Sequence, residues 1–218
     1  IMGNKNSITY KEVFPLIAQN RIWLGYTSIS LDILFKVPKE MEAELLTQKE
    51  GSSYRLINNE VFARSASVWF TNIDHGRRHQ PLKLMTMADN LKFNKKLKGQ
   101  TDYYHYDNYD AIEVPFSDAI PSDYKGVMGV PITFLDKYCP EQFEIVGITK
   151  TWYGGASKVY PEQIQFDKSG KSSKVTKLND GPAIQIDDIA EYATYYQVSG
   201  KTYIQTYARI LIRHKEKQ

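Results

Sequence analysis

Apolar residues in the first 80 positions come in short runs, each closed by a turn former, which is the pattern of buried strands alternating with short helices. Ile1 and Met2 lead into Gly3 and Asn4, and Thr9-x-x-Glu12 then stands as a capping box ahead of Val13, Phe14, Leu16 and Ile17. A strand end, a tight loop and a helix are expected there. Pro15 lacks the amide that would bond the carbonyl of Lys11, so the helix should be short or kinked. Residues 21–26 (R-I-W-L-G-Y) read as a buried strand ended by Gly25, and residues 35–37 as an extended stretch stopped by Pro38. Residues 39–49 read as a short amphipathic helix or loop, broken at Gly51, and residues 67–73 (S-V-W-F-T-N-I) as another strand, bounded by Asp74, His75 and Gly76. Strand, helix, strand, excursion, strand is the tail of an α/β sheet. Its last two strands, joined by a long non-helical connection, are expected to pair antiparallel.

Beyond about residue 80 the texture changes. Helical periodicity is confined to residues 82–98, tyrosines become dense, and turns multiply. Residues 192–198, a Ser199-Gly200 turn and residues 201–213 predict one long hairpin. In its second strand Ile204, Thr206, Ala208, Ile210 and Ile212 would share one face, with Gln205, Tyr207, Arg209 and Arg213 on the other. The division expected is therefore 1–79 and 80–218, an α/β part followed by an α+β, strand-rich part.

Composition narrows the class. Of 218 residues, 42% are hydrophobic and 24% charged, an ordinary globular balance, and the single cysteine, Cys139, excludes an internal disulfide framework and fits a reducing cytoplasm. No apolar run reaches the length of a membrane span. The formal net charge is only +3, but seven basic residues between Arg77 and Lys98 oppose Asp89 alone. Six acids and no Lys or Arg follow over residues 102–123, then six lysines against two acids over residues 150–177. Two basic blocks around an acidic one outline a nucleic-acid surface.

Catalytic constellations are scarce. No G-x-S-x-G and no phosphate-cradling glycine loop occurs, and His75 and His79 are separated by Gly76 and two arginines. Asp118, Asp123 and Lys125 are too close together for a metal-dependent nuclease hairpin. The acidic stretch 106–110 lacks the Gly and closing Glu of a calcium loop.

Residues 1–25, Y-D-N-Y-D-A-I at 106–112, G-V-M-G-V-P-I-T-F-L-D-K-Y-C-P-E-Q-F-E-I-V-G at 126–147 and R-I-L-I-R-H-K at 209–215 together resemble the C-terminal half of the EcoRI-type adenine-specific DNA methyltransferases. The likeness is weaker over 27–66 and absent from much of 150–200, and Cys139 stands where the family pattern is expected to have Asn. The resemblance implies a Rossmann-like methyltransferase sheet, with residues 1–4 ending its fifth strand, 21–25 forming the sixth and 67–72 the reversed seventh. It also implies that the S-adenosylmethionine loop and an Asn-Pro-Pro-Phe catalytic loop belong to a missing N-terminal half of the same polypeptide. The chain holds no Pro-Pro dipeptide, so alone it is expected to be catalytically silent, with no catalytic or cofactor-binding residue of its own.

The implied partner is double-stranded DNA. Base readout needs Arg, Lys, Asn or Gln on a rigid element, for which Gln205 and Arg209 on the hairpin face are the candidates. Phosphate contacts need loosely placed cations, for which the candidates are Arg77, Arg78, Lys92, Lys95 and Lys96, the last three at i, i+3, i+4 spacing. The alternative is a free-standing, non-catalytic DNA-binding or specificity module. An Asn-Pro-Pro-Phe in the reading frame upstream of Ile1 would select the enzyme.

Overall fold

A computed structural model describes residues 1–189 and 192–216. Its first sheet is built from β1 (Met2–Asn4), β2 (Trp23–Leu24) and a strand that arrives 43 residues after β2 begins its turn away. That returning strand closes an excursion with its own small sheet, made of β3 (Ile33–Lys36), β4 (Tyr54–Ile57) and β5 (Glu60–Ser65) in the order β3-β5-β4. β6 (Ser67–Thr71) then inserts between β1 and β2, antiparallel to both, with Met2 opposite Trp69 and Trp23 opposite Thr71. The antiparallel pairing expected of the last two strands is present.

Local chemistry explains the departures near the start. Residues Lys5–Thr9 form a 3-10 turn in which the Thr9 hydroxyl donates back to Asn6 O at 3.0 Å, so the predicted capping box does not form. Helix α1 (Phe14–Ala18) starts later, with Val13 as an N-cap that has no side-chain cap. Pro15 thereby falls in the first turn, where no amide has to be bonded, and of the two expected outcomes the helix is short, at five residues, and has no cause to kink. Phe14 and Ile17 enter the core. In the excursion, α2 (Lys39–Leu46) buries no residue, and the β4–β5 hairpin turns on Asn58 and Asn59, both at positive φ, which Asn tolerates better than most residues.

The rest of the chain contributes α3 (Met87–Phe93) and two larger sheets. Strands β7 (Ile112–Glu113), β8 (Met128–Pro131) and β9 (Phe143–Ile148) belong to the first; β10 (Gln163–Asp167), β11 (Ser172–Val175), β12 (Ala183–Ile186), β13 (Thr194–Val198) and β14 (Lys201–Gln205) form the second, in the order β11-β10-β13-β14-β12. β15 (Arg209–His214) returns to the first, giving the order β7-β8-β15-β9. The long second strand predicted for the hairpin is therefore two strands in two sheets, broken over residues 206–208. The break has local anchors: Thr206 N bonds Pro182 O at 3.3 Å, and Arg209 N bonds the Thr149 hydroxyl at 2.8 Å.

The principal core crosses the boundary expected near residue 80. Ile8, Phe14, Leu24 and Phe70 pack in one cluster with Val130, Phe134, Phe143, Ile148, Ile210 and Ile212. Phe14 also meets the rings of Trp152 and Tyr153 edge-on, at 6.3 and 5.6 Å between centroids. Leu211 faces the other way, into a cluster with Tyr106, Tyr109 and Ile184, so β15 is covered on both sides and shows no polar face over 210–212.

Candidate nucleic-acid interface

Two of the predicted cations, Arg77 and Lys96, come together across 19 residues of sequence in a cleft of about 300 Å³. Its walls are the β2–β3 connection (Ser28, Ser30), the segment after β7 (Phe116, Asp118) and the 3-10 turn Ile132–Lys137 that follows β8. Arg77 donates to Tyr26 O at 2.7 Å, with its guanidinium 5.9 Å from the centre of the Tyr26 ring, itself 75% exposed. Lys96 Nζ lies 2.7 Å from an Asp118 oxygen and 5.2 Å from the centre of the half-exposed Phe116 ring. Asp136 holds the near wall in place by accepting from the Ser28 hydroxyl and from Ile29 N at 2.9 Å. Cations resting on aromatic faces at the mouth of a cleft suit a phosphate backbone with a base beside it. Tyr26, Phe116 and Lys137 were not singled out from the sequence, because only the fold brings their segments together.

Lys92, Lys95 and Lys96 do not form the single helix face that their spacing suggests. Asn94 ends α3 and caps the following 3-10 turn Lys95–Leu97, accepting from Lys96 N at 3.1 Å, so Lys95 and Lys96 leave the helix axis of Lys92. All three are exposed; Lys92 lies 5.0 Å from the Phe93 ring centre.

The remaining three predicted residues are engaged by protein partners, Arg78 buried and Gln205 and Arg209 partly buried. Arg78 is 9% exposed, bonds Asn20 Oδ1 at 3.0 Å and lies 3.7 Å over the Trp23 ring. Gln205 donates to Lys177 O and accepts from the Tyr196 hydroxyl at 3.4 Å. Arg209 forms a forked ion pair with Glu113, at 3.0 Å and 2.5 Å to one carboxylate oxygen and 3.1 Å to the other, with side chains only 11% and 5% exposed. Tyr106 donates to the same carboxylate, and burial, with the Glu113 charge beside it, pushes the Tyr106 hydroxyl well above its ordinary range. Base readout by Arg209 requires this pair to open. Gln205 and Arg209 also lie in different sheets, so they do not share the face expected of them.

Two further ionisable groups are tied to neighbouring side chains. His79 bridges Asp74 at 2.7 Å and Glu141 at 2.8 Å, which raises its pKa. The Cys139 thiol is buried and donates to Glu141 at 3.1 Å; burial first, then that bond, pushes its pKa up. Among the described residues no group of three or more His, Cys, Asp or Glu is placed to hold a metal ion, and no helix is long and apolar enough to cross a membrane.

A family model described as Adenine-specific methyltransferase EcoRI matches residues 1–215, and the chain belongs to that family. It is 42% identical over 150 residues to the Type II methyltransferase M.EcoRI of Escherichia coli, a match covering 69% of this chain and 42% of that protein. With the Type II methyltransferase M.MgeORF184P of Mycoplasma genitalium it shares 30% identity over 193 residues, 88% of this chain and 54% of the relative. The chain thus spans about half the length of the curated relatives it matches. No solved structure matches it.

Proposed function

We propose that the chain is the C-terminal part of a site-specific DNA adenine methyltransferase of a restriction-modification system. In this reading β1, β6 and β2 are the last strands of a Rossmann-like methyltransferase sheet and the strand-rich remainder engages double-stranded DNA. The observation that carries the reading is the reversed strand β6 seated between β1 and β2. It agrees with the fifth, seventh and sixth strands that the family pattern implies, and it leaves the outer edge of β1 open, with Ile1 91% and Met2 45% exposed.

The methyl donor in this reading is S-adenosylmethionine, which supplies an electrophilic methyl to the adenine amino nitrogen. The residues described here do not fit it: the cleft between Arg77 and Lys96 offers cations, carboxylates and hydroxyls, without a glycine turn against which the adenosine could lie. No step of the transfer is therefore assigned to this chain. Its residues hold DNA, and a segment preceding β1 holds the cofactor and the catalytic loop. Arg77 and Lys96 in the cleft, with the exposed Lys92 and Lys95, are the phosphate contacts proposed.

The test joins the chain to the sequence that precedes it in its reading frame and measures transfer of labelled methyl from S-adenosylmethionine into adenine of duplex DNA. The joined protein should incorporate label and the chain alone should not. Incorporation by the chain alone, or none by a joined protein that binds DNA, overturns the reading. A free-standing DNA-binding module is the second reading, favoured by the core that runs unbroken across residue 80; absence of an upstream Asn-Pro-Pro-Phe would select it.

A further inference from the structure

The hairpin of β10 and β11 carries a feature that the cleft does not use. From Lys168 the sequence runs K-S-G-K-S-S-K-V-T-K, with a lysine at every third position (Lys168, Lys171, Lys174, Lys177) and Ser, Gly, Val or Thr between. All four lysines are exposed, and among the described residues none of them has an ion-pair partner. The other two lysines of the same sequence block behave differently: Lys150 pairs with Asp180 and Lys158 with Asp107, both at 2.5 Å. Even the acid nearest the run is engaged. Asp167 accepts from Ser169 N at 2.8 Å, the Ser169 hydroxyl at 2.6 Å and Lys171 N at 3.1 Å, closing the turn at Gly170, whose φ is +77°. Glu162 is the one carboxylate on the adjoining groove.

The surface beside the run is open sheet. Lys174, Ile164 and Gln197 stand side by side across β11, β10 and β13, all exposed, while the alternating residues Gln163, Tyr196 and Tyr203 turn to the core. Lys174, Ile164 and Gln197 line a groove of about 750 Å³. Two residues further along the same face, Phe166 and Tyr195 stack with centroids 5.0 Å apart and rings 6° from parallel. Gln205, donating to Lys177 O, pins the end of the run to β14.

We infer that this hairpin is a second DNA contact, a wing that lies along the phosphate backbone of a duplex apart from the Arg77–Lys96 cleft. The inference rests on the DNA-binding reading above. An unpaired cation recurring every third residue, with small hydroxylated residues between that let a backbone approach closely, complements an extended polyanion. The proximal carboxylate, Asp167, is tied into the turn and, among the described residues, pairs with none of the four ammonium groups.

The experiment compares the full chain with its K168A/K171A/K174A/K177A variant for binding a fluorescent duplex of random sequence across a salt titration. Matching thermal unfolding of the two is the control. Each neutralised phosphate contributes about 0.9 to the slope of log K against log salt, so the variant's slope should be shallower by about 3 to 4, and the four amines should be protected from acylation in the wild-type complex. A variant that binds with a slope changed by less than about one contact overturns the inference and leaves the DNA-binding reading standing. Loss of binding to phosphatidylserine vesicles with an unchanged DNA slope also overturns it, in favour of a lipid surface. A wild-type chain that binds no duplex sinks both.

Discussion

Arg209 and the lysines of the β10–β11 hairpin are cations of strand-rich segments with much the same look in the sequence, yet one is largely buried against Glu113 and the others face water. At Arg209 the guanidinium meets a matching carboxylate, and Tyr106 satisfies what remains of it. At the hairpin the nearest acid is bonded to the amides of its own turn. Burial with a partner makes a cation a structural member, and exposure without one makes it available to a ligand.

The sharpest way to break the comparison is to leave Glu113 alone in the interior. Arg209→Met should destabilise the fold by about 3 to 5 kcal/mol, seen as a fall in Tm of about 10 °C for a chain of this size. Arg209→Met combined with Glu113→Leu should recover most of that loss, and a double variant as unstable as the single one would show that packing, not charge, sets the cost. Gly129→Ala probes the same centre by volume. A Cβ at Gly129 would run into the Tyr106 ring and hydroxyl, both buried, and the overpacking should cost about 1 to 3 kcal/mol in denaturant unfolding.

At the exposed end of the comparison effects on stability should nearly vanish. Lys96→Ala removes a surface pair with Asp118 worth less than about 1 kcal/mol, but should lower the salt slope of DNA binding by about 0.9. A Lys96→Ala variant with lost stability and an unchanged slope would reverse the assignment. The smallest effect belongs to His79. Hydrogen bonds to Asp74 and Glu141 raise its pKa above the ordinary 6.5, so its stabilisation is fully present below that value and is lost as pH rises through the raised one. Between about pH 6 and pH 8, Tm should fall slightly more in the wild type than in His79→Gln. Equal pH profiles would mean that the bridge contributes nothing.

Much of the N-terminal part was legible because strand alternation and its breakers are local signals: β2 and β6 of the first sheet and β3 of the excursion stand where their apolar runs and the following Gly25, Asp74 and Pro38 place them. The break at residues 206–208 was not, since no Gly or Pro marks it and the period of two continues through it into another sheet. Arg78 and Arg209 read as surface cations because their partners Asn20 and Glu113 lie 58 and 96 residues away. The helix end at Asn94 did carry a local signal, an Asn two residues before Lys96, and it outweighed the i, i+4 spacing of the lysines. Of the cleft only Arg77 and Lys96 could be named in advance, as members of a charged block; the aromatic rings beneath them are a product of tertiary packing.

The passage from β14 to β15 sets a length scale for recognition. Three linking residues reach at most about 10 to 11 Å, so in the proposed DNA-binding reading the sheet bearing the β10–β11 hairpin is leashed to the sheet beside the cleft and neither would wander along a duplex. Contacts held at a constant separation act as a ruler: an oligonucleotide shorter than their spacing can engage only one of them at a time. Plotted against duplex length, affinity should therefore climb in a step and not gradually, and the position of that step measures the footprint that the fold imposes on its target.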